Sequence, residues 1–175
     1  MTSLISAEYR AEQQLLHLNP NYGVASRHFA PMVGSFIKEQ NITSVTDYGA
    51  GKQRLKEALE EMGCGDFSYA PYDPAYPEYG DAIQSDLVCC IDVLEHIEEE
   101  YLTNVLADLK RCTRHYGFFT IHTQPAVKVL SDGRNAHLIQ EDTSWWLPRL
   151  AEFFEIRLLK TLPDNSGFYL LAVPK

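Results

Sequence analysis

The chain has 175 residues, a net charge of −9 and a hydrophobic content of 45%. This length suits one domain around one core, and the composition excludes a largely disordered chain. The sequence contains no apolar run near the roughly 20 residues that span a bilayer. Its N-terminus has no basic segment followed by an apolar stretch, which excludes a typical signal peptide. We therefore expect a cytoplasmic protein with no membrane contact.

The charge pattern also bears on partners. The 15 basic residues are scattered rather than clustered, whereas proteins that hold nucleic acid usually carry a basic face. Nucleic acid is therefore disfavoured as a partner. The cysteines have neither zinc-site nor disulfide spacing, so we expect them to be reduced and structural; they are Cys64, Cys89, Cys90 and Cys112.

The hydrophobic pattern alternates between helical and strand periods, which predicts a mostly parallel α/β sheet. Helices are predicted over 6–18 and 24–40, a strand over 41–47, a glycine turn at 49–51 and a helix over 52–62. Then come a strand over 67–72, a loop over 74–85, a buried strand over 86–91 and a helix over 97–113. The last predicted elements are a strand over 117–122, a loop over 123–142, a helix over 143–154, and strands over 155–161 and 167–173.

The pattern at the end of the chain narrows the choice of fold. Only residues 162–166 join the last two predicted strands, and a connection this short forces antiparallel pairing. We therefore predict a mostly parallel sheet that ends in a C-terminal antiparallel hairpin, with helices on both faces. The predicted organisation is a single domain, 1–175, with an N-terminal helical cap over 1–40 and a core over 41–175.

The strongest motif is the turn Asp47-Tyr48-Gly49-Ala50-Gly51, which follows the first predicted strand. Glycine lets the backbone approach a ligand closely, and ligands of parallel sheets bind at the carboxyl ends of the strands. Asp73 ends the next predicted strand, 26 residues after Asp47, where a carboxylate can accept hydrogen bonds from both hydroxyls of a ribose. The simpler alternatives are a tight turn without a ligand and a solvated loop aspartate.

Three successive features resemble the class I S-adenosylmethionine-dependent methyltransferases: the D-Y-G-A-G turn, Asp73, and the run DLVCCIDVLEHIEEE. The stretch D-V-L-E-H-I is similar to the small-molecule branches of that family. GRNAHLIQEDTSWW is similar to small methyltransferases of bacteria and bacteriophages. The resemblance covers the chain from about Tyr22 onward. It implies a Rossmann-like fold and a methyltransferase enzyme with S-adenosyl-L-methionine as its cofactor.

The resemblance also implies roles for individual residues. Asp47 and the turn 49–51 would surround the methionine portion of the cofactor, and Asp73 would hold its ribose. Pro74 would lie against the adenine, and Asp92 would face the methyl donor. The full set of implied cofactor contacts is Tyr22, Asp47, Tyr48, Gly49, Ala50, Gly51, Tyr72, Asp73, Pro74, Ile91, Asp92 and Leu94.

The sequence departs from the family pattern at two points. The family's third glycine corresponds to Gln53, so the first core helix is expected to start less closely against the ligand. Only twelve residues separate Asp73 from Asp86, which predicts that the family's third strand is short or missing. The natural competitor is a dinucleotide-binding enzyme, which would need a glycine at position 54, where this chain has Arg54.

Candidate catalytic residues follow the predicted strand 86–91, end the predicted strand 117–122, and lie in the loop 123–142. They are Asp92, His96, His122 and His137, of which His122 or His137 would be the base for an acceptor that must lose a proton. One hypothesis is a divalent metal on Asp92, Glu95, His96 and His137, because mixed carboxylate and imidazole sets suit manganese, zinc or iron. This set partly resembles the E-x-x-E-H motif of metal-binding small-RNA 2′-hydroxyl methyltransferases. The alternative is a locally paired Glu95 and a core His96.

The sequence thus predicts methyl transfer to an oxygen or nitrogen atom of a small-molecule acceptor. Two alternatives stay open: a catalytically silent S-adenosylmethionine-binding regulatory or assembly module, and a metal-assisted RNA 2′-O-methyltransferase. Arg134, in the polar loop 131–137, is a candidate partner for an acidic group on the acceptor.

Overall fold

The computed structural model describes residues 3–175, so Met1 and Thr2 of the predicted helical cap lie outside the described residues. Its centre is a six-stranded sheet in the order β2-β1-β3-β4-β6-β5. The strands are β1 (Ser44–Tyr48), β2 (Ser68–Tyr72), β3 (Ser85–Ile91), β4 (Thr113–His122), β5 (Phe154–Thr161) and β6 (Gly167–Pro174). The helices are α1 (Ala7–His17), α2 (Ser26–Gln40), α3 (Arg54–Glu61), α4 (Leu102–Cys112) and α5 (Thr143–Phe153).

The strand pairing confirms the predicted sheet. β1 pairs in parallel with β2 and β3, and β3 pairs in parallel with β4. β6 runs antiparallel to both β4 and β5 and closes the sheet with the predicted hairpin. Between β2 and β3 the chain forms only a 3-10 turn, Pro77–Tyr79, so the family's third strand is missing from residues 3–175.

Helices cover both faces of the sheet. On one face, α4 and α5 contribute Leu109 and Trp146 to a core that also contains Phe119 of β4. On the other face, α2 and α3 contribute buried residues that include Phe29 and Leu55. Every residue of β3 is buried, as expected for a central strand between two helical layers. The cysteines in these cores are free and buried. Within residues 3–175, no helix is both long and apolar enough to cross a membrane.

Helix α1 packs on the loop between β4 and α5 rather than on the sheet. Its Tyr9 is buried in a small separate cluster with Leu130 and Ala136 of that loop. The Glu12 carboxylate accepts hydrogen bonds from the Ser131 hydroxyl and, at 2.9 Å, from the Ser131 backbone N–H. We call these two packed segments, residues 3–25 and 123–138, the roof.

The predicted helix over 97–113 is wrong at its start, because α4 begins at Leu102. Ile97 and Glu98 are extended, with ψ of 138° and 125°. The Glu98 carboxylate accepts hydrogen bonds from the Ser6 N–H at 2.9 Å and the Ser6 hydroxyl at 2.7 Å. This contact with the N-terminal segment favours an extended chain over the helix that the apolar spacing predicts.

Candidate functional site

A cavity of about 550 Å³ lies where β1, β2, β3 and β4 reach their carboxyl ends. It is lined by Gly49 after β1, Asp73 after β2, Asp92 after β3 and His122 at the end of β4. The roof contributes the opposite wall. This volume falls within the roughly 300–1,000 Å³ of small-molecule and cofactor sites. The position, outside the carboxyl ends of parallel strands, is the usual place for a ligand in such a sheet.

The turn after β1 requires its glycines. Gly49 and Gly51 have φ of +83° and +47°, in the left-handed region. A Cβ at Gly49 would lie 2.3 Å from Val93 Cγ2, and one at Gly51 would lie 2.8 Å from His17 Cε1. The Gly49 N–H donates a hydrogen bond to the Tyr72 carbonyl at 2.8 Å. A side chain is thus excluded at Gly49, whereas at Gly51 it would strain the backbone and displace the His17 ring. The turn is also tied to β2.

Gln53, at the family's third glycine position, has a left-handed backbone. Gln53 adopts φ of +58° and α3 begins at the next residue, Arg54. A left-handed conformation costs a residue with a Cβ about 1–2 kcal/mol. Gln53 therefore carries strain that a glycine would not.

Asp73 joins the glycine turn to the end of β2. Its carboxylate accepts hydrogen bonds from the Gly51 N–H at 2.9 Å and the Ala75 N–H at 2.8 Å. Burial raises the pKa of Asp73, while these two hydrogen bonds act in the opposite direction. Because an ionised carboxylate offers about four acceptor sites, Asp73 can still accept hydrogen bonds from a ligand in the cavity.

Asp47 faces the same cavity from the end of β1. Its carboxylate accepts a hydrogen bond from the Tyr69 hydroxyl. Burial raises the pKa of Asp47 to about 7, and the hydrogen bond from Tyr69 partly offsets this effect. A positive group in the cavity would favour the ionised form of Asp47.

Two histidines and a glutamate meet at the β3–β4 side of the cavity. Glu95, His96 and His137 each place one potential ligand atom within 4.8 Å of the others. The Nδ1 atoms of His96 and His137 lie 2.7 and 2.6 Å from the carbonyls of Ala136 and Gln124. Since a carbonyl only accepts, each Nδ1 carries the proton and each Nε2 keeps a lone pair in the neutral ring.

Glu95 is fully buried beside these rings. Its Oε1 accepts a hydrogen bond from the His122 N–H at 2.9 Å, whereas Oε2 is buried without a partner in the structure. Burial raises the pKa of Glu95 well above its ordinary value and lowers the pKa of His96 to about 3. An unpaired buried carboxylate oxygen next to two imidazole lone pairs calls for a proton or a cation.

Asp92 lines the cavity but does not join this cluster. Its φ of 51° is left-handed, its N–H donates to the Thr120 Oγ1 at 2.8 Å, and its carboxylate accepts from the same hydroxyl. Leu94–His96 form a 3-10 turn rather than an α-helix. The structure gathers three of the four hypothesised metal ligands, and Asp92 lies outside that set. Burial and, to a smaller extent, the charge of Asp92 raise the pKa of Glu95, so the two carboxylates are still near each other.

Most of the predicted site residues line the cavity. From the predicted cofactor contacts these are Tyr22, Asp47, Tyr48, Gly49, Ala50, Gly51, Asp73, Pro74, Ile91 and Asp92, and from the predicted catalytic groups also His96, His122 and His137. Tyr72, Leu94 and Glu95 are not lining residues. Leu94 is fully buried in the core, so its side chain is not available to a ligand. Arg134 pairs with Asp132 at 2.6 Å instead of facing the cavity.

The cavity has lining residues that the sequence did not single out. Tyr9 and Gln13 of α1 line it together with His17, and their spacing of four residues is the signal that indicates one shared helix face. Gln13 Nε2 donates to the Tyr9 hydroxyl at 2.6 Å, and the Tyr22 hydroxyl donates to Gln13 Oε1 at 3.1 Å. Lys128 lines the cavity from the other roof segment, and no local pattern in the sequence marks it.

Comparison with known proteins identifies the fold. No protein-family model matches the sequence, and no curated protein matches it. The structure is similar to that of 1,6-didemethyltoxoflavin-N1-methyltransferase from Burkholderia thailandensis with bound 1,6-didemethyltoxoflavin and S-adenosylhomocysteine. Their TM-score is 0.65 at 17% identity, over 100% of this chain and 93% of that chain.

It is also similar to magnesium protoporphyrin IX methyltransferase from Synechocystis PCC 6803 with bound S-adenosylmethionine. Here the TM-score is 0.60 at 14% identity, over 100% of both chains. At identities this low, the structural similarity establishes a shared fold and nothing finer. Together with the sheet order and the glycine turn, it shows that this chain has the fold of the class I S-adenosylmethionine-dependent methyltransferases.

Proposed function

We propose that this protein binds S-adenosyl-L-methionine in the cavity and transfers its methyl group to an oxygen or nitrogen atom of a small molecule. The observation that carries the proposal is the junction of Asp73 with the glycine turn. A buried carboxylate with free acceptor sites borders the space that Gly49 and Gly51 leave open. This arrangement suits the two hydroxyls of a ribose and the close approach of the methionine portion.

We infer the direction of the bound cofactor from the strand order. Asp73 follows β2 and Asp92 follows β3, on opposite sides of the turn after β1. With the ribose at Asp73 and the methionine portion over the turn, the methyl group points toward Asp92. The acceptor then lies between the roof and the ends of β3 and β4, next to His122.

When bound there, S-adenosylmethionine supplies an activated methyl group, whose carbon–sulfur bond breaks as the acceptor lone pair bonds to carbon. The residues of the chain mainly orient the two reactants and exclude water. An acceptor hydroxyl would also need a base. Burial lowers the pKa of His137, and its Nδ1 is committed to the Gln124 carbonyl. His137 is therefore neutral at pH 7, with Nε2 free to accept a proton.

Calorimetry with S-adenosylhomocysteine and S-adenosylmethionine tests the binding site. Wild-type protein binds both, whereas Asp73→Ala weakens binding about tenfold to a hundredfold, because hydrogen bonds to a charged group contribute about 1.5–3 kcal/mol. Asp66→Asn, which changes an exposed aspartate, keeps the wild-type affinity. Circular dichroism checks that each variant is folded. No heat with either ligand in the wild type would refute the proposal.

Turnover separates the enzyme from a binding module. Wild-type protein is incubated with S-adenosylmethionine and either fractionated metabolite pools or RNA, and S-adenosylhomocysteine is measured. Product formation with a metabolite fraction supports a small-molecule acceptor. Tight binding without turnover in any pool would instead favour a regulatory or assembly module.

The cluster of Glu95, His96 and His137 favours a divalent cation as a further component. Each of these residues offers one ligand atom within 4.8 Å of the others, and Glu95 Oε2 has no partner in the structure. Two imidazoles and a carboxylate suit manganese, zinc or iron. Both rings donate Nδ1–H to carbonyls, which is the outer-shell arrangement common to metal-binding histidines. A bound cation would supply positive charge beside the acceptor, and these three residues would hold it. His137 Nε2 would then be bound to the cation, so His122 would be the base for an acceptor hydroxyl.

Elemental analysis of protein without a histidine tag tests this part of the proposal. We expect about one equivalent of metal per chain, reduced by His137→Gln but not by His115→Gln, which changes an exposed histidine. Mn²⁺ added alone to chelator-treated protein should raise its melting temperature, and His137→Gln should abolish that increase. Metal-free protein that retains full activity in chelator would remove the cation from the mechanism.

A further inference from the structure

The acceptor side of the cavity carries a single lysine or arginine. Lys128, in the loop after β4, is the one such residue that lines the cavity within residues 3–175. It is half-buried, and it is absent from the salt bridges formed in this part of the chain. A lysine that lines a cavity and forms no ion pair is available to bind an anion.

The backbone on both sides of Lys128 is held in place. The Lys128 carbonyl accepts a hydrogen bond from the Ala136 N–H at 3.0 Å. The Asn135 side-chain oxygen accepts from the N–H groups of Ala126 and His137, each at 2.9 Å. Lys128 therefore projects from an ordered segment that also carries His137, a candidate base.

The cavity wall near Lys128 is apolar. Leu4 and Ile5 line the cavity from one roof segment, and Pro125, Ala126 and Val127 line it from the other. Val127 is 98% exposed, so a ligand at this position would remove an uncovered valine from water. A wall of this kind suits an apolar ligand body, and the ammonium group suits an anionic end.

Backbone pairing places Lys128 on the β4 side of the cavity. Its carbonyl is hydrogen-bonded to Ala136, and the next residue, His137, has its ring centroid 5.0 Å from that of His122 at the end of β4. The glycine turn follows β1 and Asp73 follows β2, the strand farthest from β4 on this side of the sheet. The charge of Lys128 is thus on the side where the acceptor would lie. Removing that charge should change acceptor binding and leave cofactor binding intact.

We infer that the methyl acceptor is an amphipathic small molecule whose carboxylate or phosphate group pairs with Lys128. Its apolar body lies against Leu4, Ile5 and Val127, and its reactive atom points toward Asp92 and His137. The inference rests on the proposed methyl transfer and assigns Lys128 as a specificity-determining residue. The apolar lining favours an acceptor whose remaining surface is apolar.

A titration with matched probes tests this assignment. Protein saturated with S-adenosylhomocysteine is titrated by calorimetry with 4-hydroxybenzoate, phenyl phosphate and the neutral 4-hydroxybenzamide. In wild-type protein, one anionic probe should bind about tenfold more tightly than the amide. Lys128→Gln should abolish this preference. Lys160→Gln, which removes an exposed charge from β5, should retain it.

The outcomes separate this inference from the proposed function. If S-adenosylhomocysteine does not bind the wild type, the proposed function fails. If it binds the wild type, Lys128→Gln and Lys160→Gln equally, two results overturn the assignment of Lys128. In one, the wild type binds the amide as tightly as both anions; in the other, it binds neither anion at millimolar concentration. An anion preference that survives Lys128→Gln overturns it as well. A preference for benzoate over phenyl phosphate, or the reverse, identifies the anionic group.

Discussion

The Gly51 N–H donates a hydrogen bond of 2.9 Å to the Asp73 carboxylate, which joins the turn after β1 to the end of β2. The His17 ring of α1 lies over the same glycine, where a Cβ would come within 2.8 Å of Cε1. Three segments that are distant in sequence therefore meet at Gly51. The proposed ribose site, the glycine turn and the roof depend on one another at this point.

Gly49→Ala should destabilise the protein more than Gly133→Ala. Both glycines are left-handed, with φ of +83° and +89°, so each substitution strains the backbone by about 1–2 kcal/mol. Only at Gly49 would the new Cβ also clash, 2.3 Å from Val93 Cγ2, whereas Gly133 has no atom within 4 Å. We expect an additional loss of about 1–3 kcal/mol at Gly49. Urea unfolding of both variants measures the difference, and equal losses would contradict a steric requirement at this turn.

Gln53→Gly should stabilise the protein. Its left-handed backbone, with φ of +58°, strains glutamine but not glycine, and the greater freedom of glycine in the unfolded chain offsets part of the gain. We expect an increase of about 0.5–1 kcal/mol in the free energy of unfolding, or roughly 1–4 °C in melting temperature. Asn41 is also left-handed, with φ of 52°. Because asparagine tolerates this conformation better, Asn41→Gly should raise the free energy of unfolding by less than Gln53→Gly does. A larger increase for Asn41→Gly would argue against backbone strain at Gln53 as the cause.

Local patterns in the sequence were enough to predict most of the fold. β3 is buried at all seven positions, and its continuous apolar run predicts a central strand because both of its faces meet helices. The five residues between β5 and β6 allow only antiparallel pairing, which β6 shows with β5. The glycine turn and Asp73 come together because parallel strands end at the same edge of the sheet.

Long-range contacts explain the features that local sequence patterns did not predict. The start of α4 depends on the bond between Ser6 and Glu98, which are 92 residues apart. Asp92 has a left-handed backbone and its carboxylate is hydrogen-bonded to Thr120, a contact across 28 residues that residue spacing does not encode. Lys128 lines the cavity only because the roof folds across it, and no local period in the sequence encodes that contact.

Asp47→Asn should change how stability depends on pH. Burial raises the pKa of Asp47 from 3.8 to about 7, so the folded state keeps a proton that the unfolded state releases in this range. The free energy of unfolding of the wild type should therefore fall, relative to Asp47→Asn, as pH rises toward 7, by up to roughly 1.4 kcal/mol per pH unit. Urea unfolding between pH 4.5 and 7.5, without ligand, measures this difference.

The comparison with Asp47→Asn is needed because other ionisable groups change the free energy of unfolding in the opposite direction as pH rises. Burial lowers the pKa of His17 to about 4, so its contribution to stability is lost as the pH falls below about 6.5. Asp47→Asn leaves that contribution in place, and the difference between the two proteins isolates Asp47. Asp66→Asn should follow the wild type at every pH. A constant offset between the wild type and Asp47→Asn would show that Asp47 is already ionised at acidic pH.

Glu98→Ala should loosen the roof without unfolding the core. Ser6 begins α1: its hydroxyl accepts from the Tyr9 N–H at 3.0 Å and donates to Glu98 Oε1 at 2.7 Å. The Glu98 carboxylate also accepts the Ser6 N–H at 2.9 Å. Losing both bonds to Glu98 should increase local opening of α1, and hydrogen exchange of its amides, by about thirtyfold or more, because each such bond contributes about 1 kcal/mol or more. Exchange in α4 should stay unchanged.

The rate of ligand release provides a second measurement of roof opening, because the proposed cofactor site lies beneath α1. Stopped-flow release of S-adenosylhomocysteine should be faster in Glu98→Ala than in the wild type, since a more open roof covers the ligand for a smaller fraction of the time. Glu99→Ala, which removes the adjacent exposed carboxylate, controls for the lost negative charge and should release the ligand at the wild-type rate. Faster exchange in α1 with unchanged ligand release would mean that the ligand leaves by a path that does not involve α1.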